Sequence, residues 1–368
     1  MTELVPPVIS NERISQIVQA HYTVSPIDPS CIKLLHGYED RNYYIKEMCI
    51  DTENSSGKEY VFKVMNQKDS KFADFFEALS KLMFFINTEG LNCSLPVQPV
   101  DVPEGKFTIP LKKSYMLETK MKKDVTYVGF LLTYVPGVPI SEVECSPKFL
   151  YSIGEFVGKF STSLQKFSHP YLEARYLCFD LKHFLDNKPI VKKVTVTEDK
   201  QMFESVFRLY SEHVKPKLAS FKIGAVHNDL NCDNLLCIKE SNGNPLKLSG
   251  VIDVMDTIIS HSVFDGAICI AYLMMSDCTN PLEYTLPLVS GYLNNFSLND
   301  EEFGCLYYLV VAHLAQSYLH AMQSQTVEPD NSYRARFLHN SYTVLKLLLS
   351  TPKQKVDQMW RQAQLKSF

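Results

Sequence analysis

The segment His227-Asn228-Asp229-Leu230-Asn231-Cys232-Asp233-Asn234, followed by Gly250-Val251-Ile252-Asp253, sets a histidine, carboxylates and an amide at a fixed spacing. Such a set suits the transfer of a phosphoryl group to an alcohol. Asp229 can accept the proton of an attacking hydroxyl. Five residues on, Asn234 offers a neutral oxygen to Mg²⁺, and Asp253 offers a full negative charge to the same metal pair. Leu235 to Ile238 is a short apolar run, Ser241 to Pro245 is turn-forming, and Leu246 to Ile252 reads as a second strand ending on Asp253. Antiparallel pairing of that hairpin places Asn234 and Asp253 side by side. The bland alternative is a polar loop followed by a surface hairpin.

A phosphotransferase also needs a cation on the nucleotide. Lys63, on the strand Tyr60-Val61-Phe62-Lys63-Val64-Met65, shares a face with Val61 and Met65. An ammonium among apolar neighbours must meet negative charge, because burying it unpaired is expensive. The nucleotide phosphates and Glu77, on the next helix, are the expected partners, with Asp74 the rival acid. The structural alternatives are a lysine that snorkels to solvent and a glutamate on a polar face. His227 is expected to fix its loop by bonding backbone, Asp233 to be solvated, Asp256 to orient the metal loop, and Asp265 to cap the helix that follows it.

Two kinds of periodicity supply the elements that hold these residues. A short helical pattern covers residues 10–20. Strands are expected over Ser30–Leu35, Tyr43–Met48 and Lys58–Met65, and a helix over Phe72–Ile86. Weaker strand signals at Leu95–Val102 and Lys106–Leu111 precede a strong strand at Tyr127–Val135, halted by Pro136-Gly137. The residues at 116–126 read as a linker-like surface segment. Beyond that point the pattern is helical: 148–167, 176–187, 199–219, 265–275, 281–293, 300–323, 332–350 and 352–365. Asn299 with Glu302 three residues on is a capping-box signature. The only strand signals in this half are those flanking the motif.

With 368 residues, 45% of them apolar and 21% charged, the chain can form two lobes with sizeable cores. A net charge of −4 and a pI near 6.2 give no electrostatic case for nucleic acid. No apolar run reaches membrane-spanning length, and the first residues lack the pattern of a secretory signal. The ten cysteines are scattered without a Cys-x-x-Cys pair, which suggests reduced thiols in a cytoplasmic protein.

Taken together, Lys63, Glu77, Asp229, Asn234 and Asp253 resemble the aminoglycoside phosphotransferase family, kinase-fold enzymes that phosphorylate small alcohols. Ile252 to Ala267 matches that family's metal loop and helix start without a gap. Tyr60–Val64, Leu131–Gly137, Leu164–Pro170 and the helix around Leu314–Ser317 extend the likeness over essentially the whole chain. The resemblance implies an α+β, bilobal protein-kinase-like fold, with a small β-rich nucleotide-binding lobe at 1–136 and a mostly helical lobe at 137–368. It implies transfer of the γ-phosphoryl group of GTP or ATP to a small amino alcohol such as 5-hydroxy-L-lysine. Asp229 would be the base and Asn234 and Asp253 the Mg²⁺ ligands. Lys63 would contact the α/β-phosphates with Glu77 as its ion-pair partner, and the backbone of Leu132, Thr133, Tyr134 and Val135 would meet the purine.

The chain departs from the family at several points. Asn228 stands where glycine is common, and asparagine tolerates left-handed backbone better than most residues. Val254-Met255 replaces Phe-Gly, which bears on the flexibility of the metal loop. Ser260-His261-Ser262 replaces Gly-Asp-Pro. The stretch Gly37–Asn42 lacks Gly-x-Gly-x-x-Gly and would cover phosphates less closely. A kinase for choline or ethanolamine, a sugar or a hydroxyacyl thioester, and a pseudokinase that binds nucleotide without turnover, are the alternatives.

Overall fold

A computed structural model of the chain describes residues 6–35, 37, 40–48, 57–111, 127–239, 246–276, 278–325, 332–366 and 368. Of the expected features, the stretch Gly37–Asn42 lies partly, and the segment 116–126 and the turn 241–245 wholly, outside those residues. The chain divides into two compact units, Met1–Val135 and Pro136–Phe368.

In the first unit, helix α1 (Asn11–His21) starts where the Ser10 side chain accepts the Arg13 N–H. Among the described residues, β1 (Lys33–Leu35), β2 (Arg41–Lys46), β3 (Glu59–Val64), β4 (Ile109–Leu111) and β5 (Tyr127–Thr133) form one antiparallel sheet, ordered β1-β2-β3-β5-β4. Ile17 and Val18 of α1 join Tyr43, Ile45, Phe62 and Leu131 of the sheet in its core. Helix α2 (Ala73–Thr88) follows β3 and buries Phe75, Phe76, Leu79, Leu82, Met83 and Ile86.

Two strand expectations here are corrected. Asp28 caps a 3-10 turn at Pro29–Cys31, so β1 begins only at Lys33. Residues 95–97 bond the edge of β5 without forming a strand, through Val97 N–H to Leu131 O and Thr133 N–H to Leu95 O, each at 2.8 Å. Pro96 and Pro99 have no N–H with which to continue a ladder.

The second unit opens with β6 (Val138–Pro139) and α3 (Pro147–Leu164), then the short α4 (Pro170–Ala174) and α5 (Lys188–Val191), and α6 (Thr197–His213). The strands β7 (Ile223–Val226), β8 (Leu235–Lys239), β9 (Leu246–Val251) and β10 (Ile258–His261) follow. Then come α7 (Val263–Met274), α8 (Pro281–Tyr284), α9 (Leu286–Asn295), α10 (Asp300–Gln325), α11 (Ser332–Ser350) and α12 (Lys353–Gln364). The helix expected over 176–187 is instead a 3-10 segment at Leu181–Asn187. Pro216 ends the helical run of 199–219 at His213, and Pro287, lacking its N–H, splits 281–293 into α8 and α9. The capping box is present: Asn299 N–H donates to Glu302 Oε2 and Glu302 N–H to Asn299 Oδ1, both at 2.8 Å. Of the nine described cysteines none is in a disulfide, and Cys31 and Cys178 are exposed. Among the described residues, no helix is long and apolar enough to cross a membrane.

Helices α3 and α9 approach closely through glycines. A Cβ on Gly154 would lie 2.0 Å from Leu288 O, and one on Gly291 would lie 2.1 Å from Tyr151 O. This contact steadies α3, whose Phe160 ring packs 6.2 Å from the His227 ring. Gly154→Ala must therefore push two helix backbones apart. It should lower stability by about 1–3 kcal/mol, read as a reduced urea midpoint; an unchanged midpoint would contradict this packing.

Candidate active site

Both loops of the motif are bracketed by strand pairs. β7 pairs antiparallel with β10, Val226 opposite Ile258, so the residue before His227 lies across from the residue after the second loop. β8 pairs with β9, Leu235 opposite Val251, which does the same at the other ends. The sequence had given no strand at 258–261, because Ile258-Ile259-Ser260-His261 is short and runs into an apolar helix. The Ile252 N–H donates to Asn234 O at 2.9 Å, so Asp253 follows directly on a contact with Asn234.

His227 is fully buried, and its Nε2 lies 3.0 Å from Ile252 O while Asp229 N–H donates to its Nδ1 at 3.3 Å. Burial lowers its pKa, so the ring that ties the two loops together is neutral. Asn228 has a left-handed backbone, φ 68°, the conformation that asparagine tolerates better than most residues. Asp253 is left-handed as well, φ 60°, and its side chain is exposed.

Asp229 is half-buried and surrounded by donors. The side-chain amides of Asn231 and Asn234 donate to its Oδ2 at 3.0 and 3.1 Å, and the Tyr272 hydroxyl donates to its Oδ1 at 3.1 Å. Desolvation, with the neighbouring charges of Asp256 and Asp253, holds its carboxyl well above the usual range despite those bonds. Because Asn234 Nδ2 is committed to Asp229 O and Oδ2, its Oδ1 is the atom left for a cation. Among the described residues no three His, Cys, Asp or Glu side chains form a protein-only metal cage. A hard ion held by one amide oxygen and one carboxylate, with phosphates and water completing its shell, needs none. The donor set fits such an ion, and its charge would offset the crowding of Asp229, Asp253 and Asp256.

Several positioning roles escaped sequence reasoning. Asp265 was expected to cap a helix; instead it lies inside the first turn of α7, fully buried, and its two oxygens accept the N–H groups of His227 and Asn228 at 2.9 Å each. Burial raises its pKa to about 7 against the pull of those bonds. Arg175 donates from Nη1 to Met255 O at 2.6 Å and Thr257 O at 3.0 Å, pinning the second loop from 80 residues away. Ser141 donates to Asp233, a residue expected to be merely solvated, at 2.5 Å.

The remaining expected residues lie in the first unit. Lys63 is buried and forms an ion pair at 3.4 Å with Asp40, a residue that had not been considered for it. The register places Asn42 opposite Lys63, and Asp40, two residues earlier and just ahead of β2, comes to the same side. Asp40 in turn accepts from Asn66 N–H at 2.8 Å and Asn66 Nδ2 at 3.0 Å. Glu77 is exposed on α2 and bonds Lys81 at 2.6 Å, one turn on. In the segment 132–135, Leu95 N–H donates to Thr133 Oγ1 at 2.8 Å, Tyr134 N–H donates to Glu59 O at 3.0 Å, and Val135 is buried.

Asp265→Asn keeps the shape of the side chain but replaces one acceptor with a donor, stranding a buried backbone N–H. A loss of about 1–3 kcal/mol is expected, measured by thermal melting together with hydrogen exchange at Asn228. Wild-type protection at that amide in the variant would contradict the anchoring role.

Comparison with known proteins bears on the family and the fold. A model of a phosphotransferase enzyme family matches residues 30–287. Hydroxylysine kinase of Xenopus laevis is 30% identical over 368 residues, covering 96% of this chain and 93% of its own. That of Mus musculus is 28% identical, with 96% and 93% covered. Among solved structures, a microcompartment-associated aminopropanol kinase superimposes with a TM-score of 0.67 at 16% identity, covering 96% of this chain and 98% of its own. An amicoumacin kinase does so with a TM-score of 0.63 at 12%, covering 93% and 94%. A sheet-based unit followed by a largely helical one is thus the fold of small-molecule kinases. With the family model spanning most of its length, the chain belongs to the phosphotransferase enzyme family.

Proposed function

We propose that this chain is a Mg²⁺-dependent kinase that transfers the γ-phosphoryl group of GTP or ATP to the side-chain hydroxyl of 5-hydroxy-L-lysine, with Asp229 as the base. The observation that carries the chemistry is the anchoring of Asp229: its carboxylate is fixed by three side-chain donors, beside Asn234 and within the field of Asp253. The acceptor rests on the relatives in Xenopus laevis and Mus musculus that align over nearly their whole length.

Asp229 receives the acceptor's proton as the alcohol oxygen forms its bond to the γ-phosphorus. The bond to the bridging oxygen breaks, and its electron pair leaves on the nucleoside diphosphate. Asn234, through Oδ1, and Asp253 would hold Mg²⁺, which when bound supplies positive charge against the phosphate oxygens. Lys63 would place its ammonium on the α/β-phosphates, with Glu77 the acid expected from the family and Asp40 the one that faces it in this chain. The 132–135 backbone would meet the purine. Positioning and fixed charge, more than covalent chemistry, would supply most of the rate.

The test is phosphate transfer from labelled ATP and GTP to hydroxylysine, lysine, choline and ethanolamine. Hydroxylysine should be the preferred acceptor. Asp229→Ala should lower transfer by about 100-fold or more while nucleotide binding, measured by calorimetry, persists. Asp253→Ala should weaken Mg²⁺-nucleotide binding itself. An Asp229→Ala variant as active as wild type would refute the base.

A further inference from the structure

The three donors around Asp229 are not equivalent. Asn231 and Asn234 both bond Oδ2, and both come from the loop that carries the aspartate. Oδ1 is bonded by the hydroxyl of Tyr272, which lies 43 residues further on, in α7. Each carboxylate oxygen has two in-plane lone pairs. The asparagines occupy those of Oδ2, whereas the tyrosine takes one of the pair on Oδ1, leaving the second for an incoming O–H.

Packing from other helices sets where that hydroxyl stands. The buried His313 ring of α10 meets the Tyr272 ring edge-on with centroids 5.0 Å apart, and Phe337 of α11 flanks it at 6.2 Å. Tyr272 and Phe337 are both half-buried. Two aromatic rings from different helices thus stand together beside the donor that touches the base.

We propose that the Tyr272 hydroxyl makes Oδ1 of Asp229 the proton-accepting oxygen, and that the wall of Tyr272 and Phe337 is where the carbon chain of a small alcohol acceptor lies. This rests on Asp229 being the base of an alcohol kinase. In the step, the acceptor's O–H proton passes to Oδ1 and its oxygen lone pair forms the O–P bond. The P–O bond to the leaving nucleoside diphosphate breaks, and Tyr272 keeps its own proton throughout. Tyr272 is a positioning residue: it acts through the carboxylate, while the acceptor lies against its ring face.

Tyr272→Phe keeps the ring and removes only the hydroxyl. With hydroxylysine as acceptor, kcat should fall about tenfold or more while the nucleotide KM stays within twofold of wild type. A larger share of the γ-phosphate should go to water instead of the alcohol, because the base is no longer oriented toward the acceptor's side. A residue that merely supported the fold would not change that ratio. Phe337→Leu provides the second reading: the acceptor KM should rise several-fold with kcat little changed. Wild-type kcat and coupling in Tyr272→Phe, in a protein that Asp229→Ala inactivates, would overturn the inference and leave the kinase reading intact. A wild-type protein that phosphorylates no alcohol would instead defeat that reading, and this inference with it.

Discussion

Two antiparallel pairings, Val226 with Ile258 and Leu235 with Val251, hold both loops of the site at both ends. Everything chemical in the second unit depends on that bracket. Asn228 and Asp253 each sit in a left-handed conformation, which costs a side-chain-bearing residue on the order of 1–3 kcal/mol. Such strain persists only where neighbours over-determine it. Here they do: Asp265 grips the backbone at 227 and 228, His227 bonds across to Ile252, and Arg175 holds 255 and 257. The result is a set of acids that repel one another, kept close by Asp265, His227 and Arg175.

The same bracket explains what could be read from the residues alone. The hairpin after Asn234, the bond of the buried His227 to backbone, the tolerance of Asn228 for a left-handed turn and the capping box at Asn299 all follow from local rules, with at most one contact across a known hairpin. Asp265, Arg175 and Tyr272 act at separations of 37 to 82 residues, and nothing in their immediate neighbours marks them. Asp265 looked like a cap because it begins an apolar helix; the true start is two residues earlier, which turns its carboxylate toward the loop. Asp40 was hidden for a related reason. Lys63 was read with the helix after it, whereas the cross-strand register supplies an acid from the strand before it.

The shared and variable parts of such a fold separate physically. Phosphoryl transfer asks for a base, a metal amide, a metal carboxylate and a lysine. Asp229, Asn234 and Asp253 sit on loops pinned by short strands, whereas Lys63 sits on β3 itself. Aminopropanol and amicoumacin kinases share this fold at 16% and 12% identity. Substrate choice must therefore be argued from side chains such as Tyr272 and Phe337, not from the architecture.

The most direct measurement is a crystal structure of the protein with Mg²⁺ and a non-hydrolysable nucleotide. Asn234 Oδ1 and the Asp253 carboxylate should lie within about 2.1 Å of metal, with the γ-phosphate beside Asp229. A nucleotide bound elsewhere, or metal liganded by neither residue 234 nor residue 253, would contradict it.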